Sequence, residues 1–152
     1  MHQEIQAQVD KLAPDDQSLI AEFARGGVMS HREWLRANFA RQGSKQQWRA
    51  VFRAFDVVIC PAAATSAFHH DHSLDQDKRK IAIDGENFHQ LVWAELATTC
   101  GLPATVIPVG ATEGLPIGVQ IIGPEFEDRT PLTFARLVER EFGGFTAPPG
   151  YA

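Results

Sequence analysis

The sequence predicts an α/β fold: N-terminal helices followed by a small mixed β-sheet with packed helices. Three observations point to it. Before about residue 55, apolar side chains recur at helical spacing. After it, short continuous apolar runs are bounded by Gly and Pro. Two further amphipathic stretches flank those runs. At 152 residues the chain has the length of one domain, and residues 1–152 are read as a single domain.

The first half reads as four helices. A weak amphipathic stretch runs from about Glu4 to Leu12 and is ended by Pro14. A second helix opens at Asp15 or Asp16, whose carboxylates suit the free amides of a first turn. It is expected to bury Leu19, Ile20 and Phe23 and to stop at Gly26-Gly27. Ser30-His31-Arg32-Glu33 forms a capping box, with Met29 and Trp34 at the positions of a hydrophobic staple. That helix is expected to end near Gly43. Ser44-Lys45-Gln46-Gln47 then repeats the capping pattern, ahead of Trp48, Val51, Phe52 and Phe55.

The second half holds three strand candidates: Val57–Cys60, Thr105–Ile107 and Ile117–Ile122. Their continuous apolar character predicts strands covered on both faces. A helix is expected from about Asn87 to Cys100, carrying Phe88, Leu91, Val92 and Leu96, with Gly101-Leu102-Pro103 as its stop. Val109 to Pro116 reads as a connecting turn, since it lacks the endings of a phosphate loop or a dinucleotide fingerprint. A last helix opens at Thr130-Pro131 and ends at Gly143-Gly144.

Composition excludes several function classes. There are 14 Lys+Arg against 19 Asp+Glu, a net charge of −5, so no overall positive field attracts nucleic acid. No apolar run reaches the ~18–20 residues of a membrane span. Met1-His2-Gln3-Glu4 lacks the opening of a secretory signal, and two cysteines cannot build a disulfide scaffold. The expectation is a cytoplasmic protein with neither nucleic-acid nor membrane partners.

Few residues invite a chemical role. His69, His70, Asp71 and His72 are all metal-ligand types. Adjacent residues of one loop rarely converge on one ion, so they read as a polar loop, and no metal or cofactor is assigned. Cys60 ends a strand among apolar neighbours and reads as a buried structural thiol, as does Cys100. The charges between Asp71 and Lys80 read as a solvated loop.

Four segments together resemble a known family. Gly101-Leu102-Pro103-Ala104-Thr105-Val106-Ile107-Pro108-Val109-Gly110 precedes Gly114-Leu115-Pro116-Ile117-Gly118-Val119-Gln120-Ile121-Ile122-Gly123. Phe55-Asp56-Val57-Val58-Ile59-Cys60-Pro61 lies upstream, and Phe126-Glu127-Asp128 with the helix after Pro131 lies downstream. In order and spacing these resemble the C-terminal part of the amidase signature family over residues 50–150, which implies a partial amidase-signature fold.

Members of that family hydrolyse carboxamides with a lysine, a serine in an unusual peptide and a nucleophilic serine. The resemblance places all three before the region present here. The five serines (Ser18, Ser30, Ser44, Ser66 and Ser73) follow no Gly-Gly or Gly-Ser run. Gly43-Ser44-Lys45 is the nearest imitation. No catalytic residue is therefore carried over, and the chain is expected to be inactive on amides by itself. The resemblance implies that Pro61, Ala62, Ala64 and Phe68 lie beside the acyl-binding pocket, with Ala62 where threonine is common. The expected partners are a second copy or an N-terminal amidase portion, either of which covers a cut sheet edge. Two other readings compete: a module that reuses half an amidase fold to bind an acyl or amide ligand or another protein without turnover, and a metal-binding protein built on the histidine loop.

Overall fold

The computed structural model describes residues 2–68, 70, 72–73, 80–89, 93–148 and 150. Its elements in chain order are α1 (His2–Val9), α2 (Leu19–Gly27), α3 (His31–Val51), β1 (Val58–Pro61), β2 (Lys80–Ile83), β3 (Glu86–His89), α4 (Glu95–Cys100), β4 (Ala104–Thr112), β5 (Leu115–Ile122) and α5 (Arg129–Phe142). The α/β class and the helices-then-sheet order are as the sequence predicts.

The helices depart from expectation in several places. Ser18, not Asp15 or Asp16, caps α2: its Oγ accepts the Ala21 amide at 3.2 Å, while Asp16 accepts the Ser18 amide at 2.8 Å. Ala21 is the buried residue of this helix; Ile20 is exposed and Phe23 is 69% exposed. The Leu19 side chain lies outside the described residues. The Ser30–Glu33 capping box is present in both directions, but Trp34 is half-exposed and stacks on His31.

The expected break at Gly43 is absent. The third and fourth predicted helices are one 21-residue helix. A single interior glycine costs about 1 kcal/mol relative to alanine, which does not stop a helix whose backbone bonds continue on both sides. Ser44 is therefore no cap; its hydroxyl leans back on the Ala40 carbonyl at 3.5 Å.

The main sheet has the order β1-β5-β4 and a separate hairpin pairs β2 with β3. Every described pairing is antiparallel, where a mixed sheet is expected from the sequence. Two turns account for two of the three pairings; the third, β1 with β5, joins strands far apart in the chain. Glu113 and Gly114 (φ 50° and 77°) join β4 directly to β5, and Asp84 and Gly85 (φ 51° and 84°) join β2 to β3. Two consecutive left-handed residues give the tight hairpin turn that matches strand twist. The second turn also replaces the N-terminal part of the predicted Asn87–Cys100 helix with a strand. Among the described residues of that span only Glu95–Cys100 is helical, closed by Gly101 at φ 63°; residues 90–92 and the Phe88 side chain lie outside the described residues.

Among the described residues, cover on both faces is confined to the end of β5, where the consecutive residues Gln120, Ile121 and Ile122 are all buried. β4 is exposed or half-buried along its whole length, and burial is concentrated at Gln120, Ile121, Ile122 and Gly123. There the sheet meets α5 at close quarters. A Cβ on Gly123 would stand 2.6 Å from Cδ of the fully buried Pro131. The Gly123 amide also donates to the Pro103 carbonyl at 2.9 Å, closing the base of the hairpin. α5 starts one residue before Thr130, which places Pro131 within its first turn, where no amide is needed.

Candidate functional site

The segment expected to border a pocket leaves the sheet at the end of β1. Cys60 pairs with Gln120 and Pro61 with Val119. The Ala62 amide carries the ladder one step further, donating to the Gly118 carbonyl at 3.3 Å. Gly118 lets the two chains approach: a Cβ there would meet the Ala62 Cβ at 3.7 Å and the Ile107 carbonyl at 3.3 Å. Ala62 and Ala64 are half-buried, Pro61 is exposed, and Phe68 is half-exposed.

Gln120 is the polar centre of this region. Its carboxamide nitrogen donates to Cys60 Sγ at 3.3 Å and to the Trp93 carbonyl at 3.2 Å. The residue is 6% exposed, so these bonds satisfy a donor that water cannot reach. One side chain thus ties β1 and β5 to the turn before α4. Cys60 is half-buried rather than buried, while Cys100 is buried; both are free thiols.

A second polar cluster joins α3 to the segment after β5. Lys45 Nζ donates to Glu125 Oε1 at 2.5 Å, and Arg49 donates to Oε2 at 2.9 Å. These two bonds, Lys45's first, hold the Glu125 carboxyl below the usual glutamate range. The cluster borders a cleft of about 250 Å³ lined by Phe52, Leu102, Pro124 and Phe126 as well. A wider groove of about 480 Å³ lies between α3 and α4, with Ser44, Trp48, Leu96 and Cys100 among its walls.

The two polar groups of Gly43-Ser44-Lys45 have different partners. The Ser44 hydroxyl faces its own helix, and the Lys45 ammonium is committed to Glu125. Neighbouring helical residues also project about 100° apart. A nucleophile and its base need hydrogen-bond reach of one another.

The histidine loop is described only in part, with His69 and Asp71 outside the described residues. The His70 and His72 rings stack at 5.8 Å. Among the described residues, no group of three or more His, Cys, Asp or Glu side chains converges as a metal site. No described helix is long and apolar enough to cross a membrane.

Sequence reasoning overlooked Gln120 and the Lys45–Glu125–Arg49 cluster. Gln120 carries a legible signal, a lone polar residue in the apolar run Ile117–Ile122. The cluster carries none, because its partners lie 76 and 80 positions apart.

An α/β protein built on a Gly- and Pro-bordered hairpin, paired to an upstream strand and closed by a C-terminal helix, is the class these elements define. The chain belongs to the amidase family, whose model, described as Amidase, matches residues 17–132. It is 34% identical over 115 residues to a glutamyl-tRNA(Gln) amidotransferase subunit from an Exiguobacterium species, covering 76% of this chain and 22% of that protein. It is 27% identical over 125 residues to an indoleacetamide hydrolase from Bradyrhizobium diazoefficiens, covering 79% of this chain and 22% of that protein. Among solved structures, the corresponding glutamyl-tRNA(Gln) amidotransferase subunit of Thermotoga maritima superposes with a TM-score of 0.64 at 24% identity, covering 88% of this chain and 28% of that one. The chain therefore spans between about a fifth and somewhat over a quarter of the length of these relatives.

Proposed function

We propose that these residues form the C-terminal portion of a carboxamide C–N hydrolase, and that they do not hydrolyse amides by themselves. The observation that carries this reading is the extent of the match, 22% of the curated relatives' length. An acyl transfer draws most of its acceleration from an activated nucleophile and preorganised oxyanion donors. Ser44, the serine nearest a lysine in sequence, is turned into its own helix. The Lys-Ser-Ser triad must then come from an amidase portion outside these residues.

In this reading Pro61, Ala62, Ala64 and Phe68 form one wall of the acyl pocket. The hydrogen bonds of Ala62 to Gly118 and of Gln120 to Cys60 set where that wall begins. The other portion contributes the reactive floor.

Ammonia release from a panel of aliphatic and aromatic carboxamides tests this directly. The 152-residue chain is expected to give no release above buffer, and release to appear when an N-terminal amidase portion is added. Release that tracks the purified chain alone overturns the reading. Saturable binding of an amide with no turnover in either case favours a ligand-binding module.

A further inference from the structure

Phe126 combines two unfavourable features. Its φ is +68°, in the left-handed region that a bulky side chain avoids. The residue is 87% exposed, so within this chain the strain is not offset by burial. The turn that imposes the strain is firmly built. The Glu127 amide donates to the Pro124 carbonyl at 3.1 Å, closing a four-residue turn with Phe126 in third place. A turn with positive φ at that position ordinarily holds glycine or asparagine. On one side Glu125 is clamped by Lys45 and Arg49, and on the other the Glu127 carboxylate accepts from the Thr130 hydroxyl at 3.1 Å.

Beside the ring lies the 250 Å³ cleft, with Phe52, Leu102 and Pro124 as apolar walls. An exposed aromatic knob thus stands next to a small apolar socket, with Lys45, Arg49, Glu125 and Glu127 around them. Central aromatic anchors ringed by polar groups are how protein interfaces concentrate binding energy.

We propose that the Phe126 turn and the adjoining cleft are the docking anchor for the amidase portion that the preceding reading requires, and the proposal rests on that reading. Area argues for this occupant over a second copy. The chain exposes 11677 Å², against about 7,600 Å² for a folded monomer of 16.8 kDa. The excess of about 4,000 Å² is several times the roughly 800 Å² per partner of a standard interface. A portion several times longer than this chain, as the relatives' lengths imply, can cover such an area.

The test uses the 152-residue chain, Phe126→Gly and Phe126→Asn. The probe is the portion of the Exiguobacterium relative that precedes the segment shared with this chain. Binding is read by calorimetry, and the chains alone by thermal melting and sedimentation. We expect both variants to melt higher than the parent, Phe126→Gly by about 3 °C, and to bind the probe at least about tenfold more weakly. A lower melting temperature makes Phe126 part of this chain's own core and overturns the proposal. Undiminished binding of the variants overturns the anchor and leaves the amidase-portion reading standing. No binding by the parent chain removes both. A Phe126-dependent dimer of the chain alone makes a second copy the occupant, and again overturns the proposal.

Discussion

Lys45 and Glu125 stand 80 positions apart in sequence and 2.5 Å apart in space. The lysine side chain is 14% exposed and the glutamate 10%. The pair fastens the C-terminal half of α3 to the segment between β5 and α5. Lys45 Nζ also lies 3.8 Å from where a Cβ on Gly101 would be, so the same ammonium sits over the end of α4.

Breaking that pair loosens α3. Glu125→Gln leaves an ammonium without its carboxylate in a half-closed site, and the urea midpoint at neutral pH is expected to fall. Lys45→Met keeps the aliphatic stem and loses the charge, so its effect is expected to be smaller. Equal losses for the two variants would show that the stem contributes nothing.

Acid acts on the same contact. Glu125, Glu33 and Asp16 are all held below their ordinary carboxylate values, by Lys45, by the Ser30 hydroxyl and by the Ser18 amide respectively. A depressed folded-state value means that the stabilisation is present above the unfolded pKa. It is lost as pH falls below about 4.5 for the glutamates and about 3.8 for Asp16. Melting temperature is therefore expected to decline through that window, and the decline is expected to be shallower in Glu125→Gln. Identical acid profiles for parent and variant would count against the assignment.

Gln120→Leu removes the donor shared by Cys60 and the Trp93 carbonyl. Cys60 and Trp93 are only half-buried, so leaving these acceptors unmatched is expected to cost the low end of about 1–3 kcal/mol in chemical denaturation. Cys60→Ala takes away only a weak sulfur acceptor and is expected to cost less. A double-mutant cycle between the two positions reads their coupling; zero coupling would mean that the 3.3 Å contact contributes nothing.

Gly123→Ala is expected to be among the more disruptive single-methyl changes. Its Cβ would lie 2.6 Å from the Pro131 ring, which is fully buried and cannot swing away. Overpacking of this kind costs about 1–3 kcal/mol. Gly26→Ala, where nothing lies within 4 Å, is the matched control and is expected to be neutral or mildly stabilising.

Local residue patterns already specify the α/β class, the Ser30 capping box, the stops at Gly101 and Gly143 and the three strands of the main sheet, and they carry the resemblance to the amidase family. Each is written in residues close together in the chain: a cap and its third neighbour, an apolar run between prolines, a glycine after a helix. Other local signals compete with one another. Asp84-Gly85 is a strong hairpin dipeptide, and it makes a strand of Glu86–His89 where apolar spacing suggests a helix. Gly43 resembles a helix end, yet a glycine ends a helix only when the chain leaves helical geometry there, and in α3 it does not. Packing between elements settles which apolar residues are buried. Phe23 and Phe126 are exposed while Ala21, Ile121 and Pro131 are closed off, because burial depends on what packs opposite and not on the side chain's own character. It alone paired Lys45 with Glu125 and Gln120 with Cys60 and Trp93. Contacts across 27 to 80 positions follow from how whole elements pack, and no local pattern of residues encodes them.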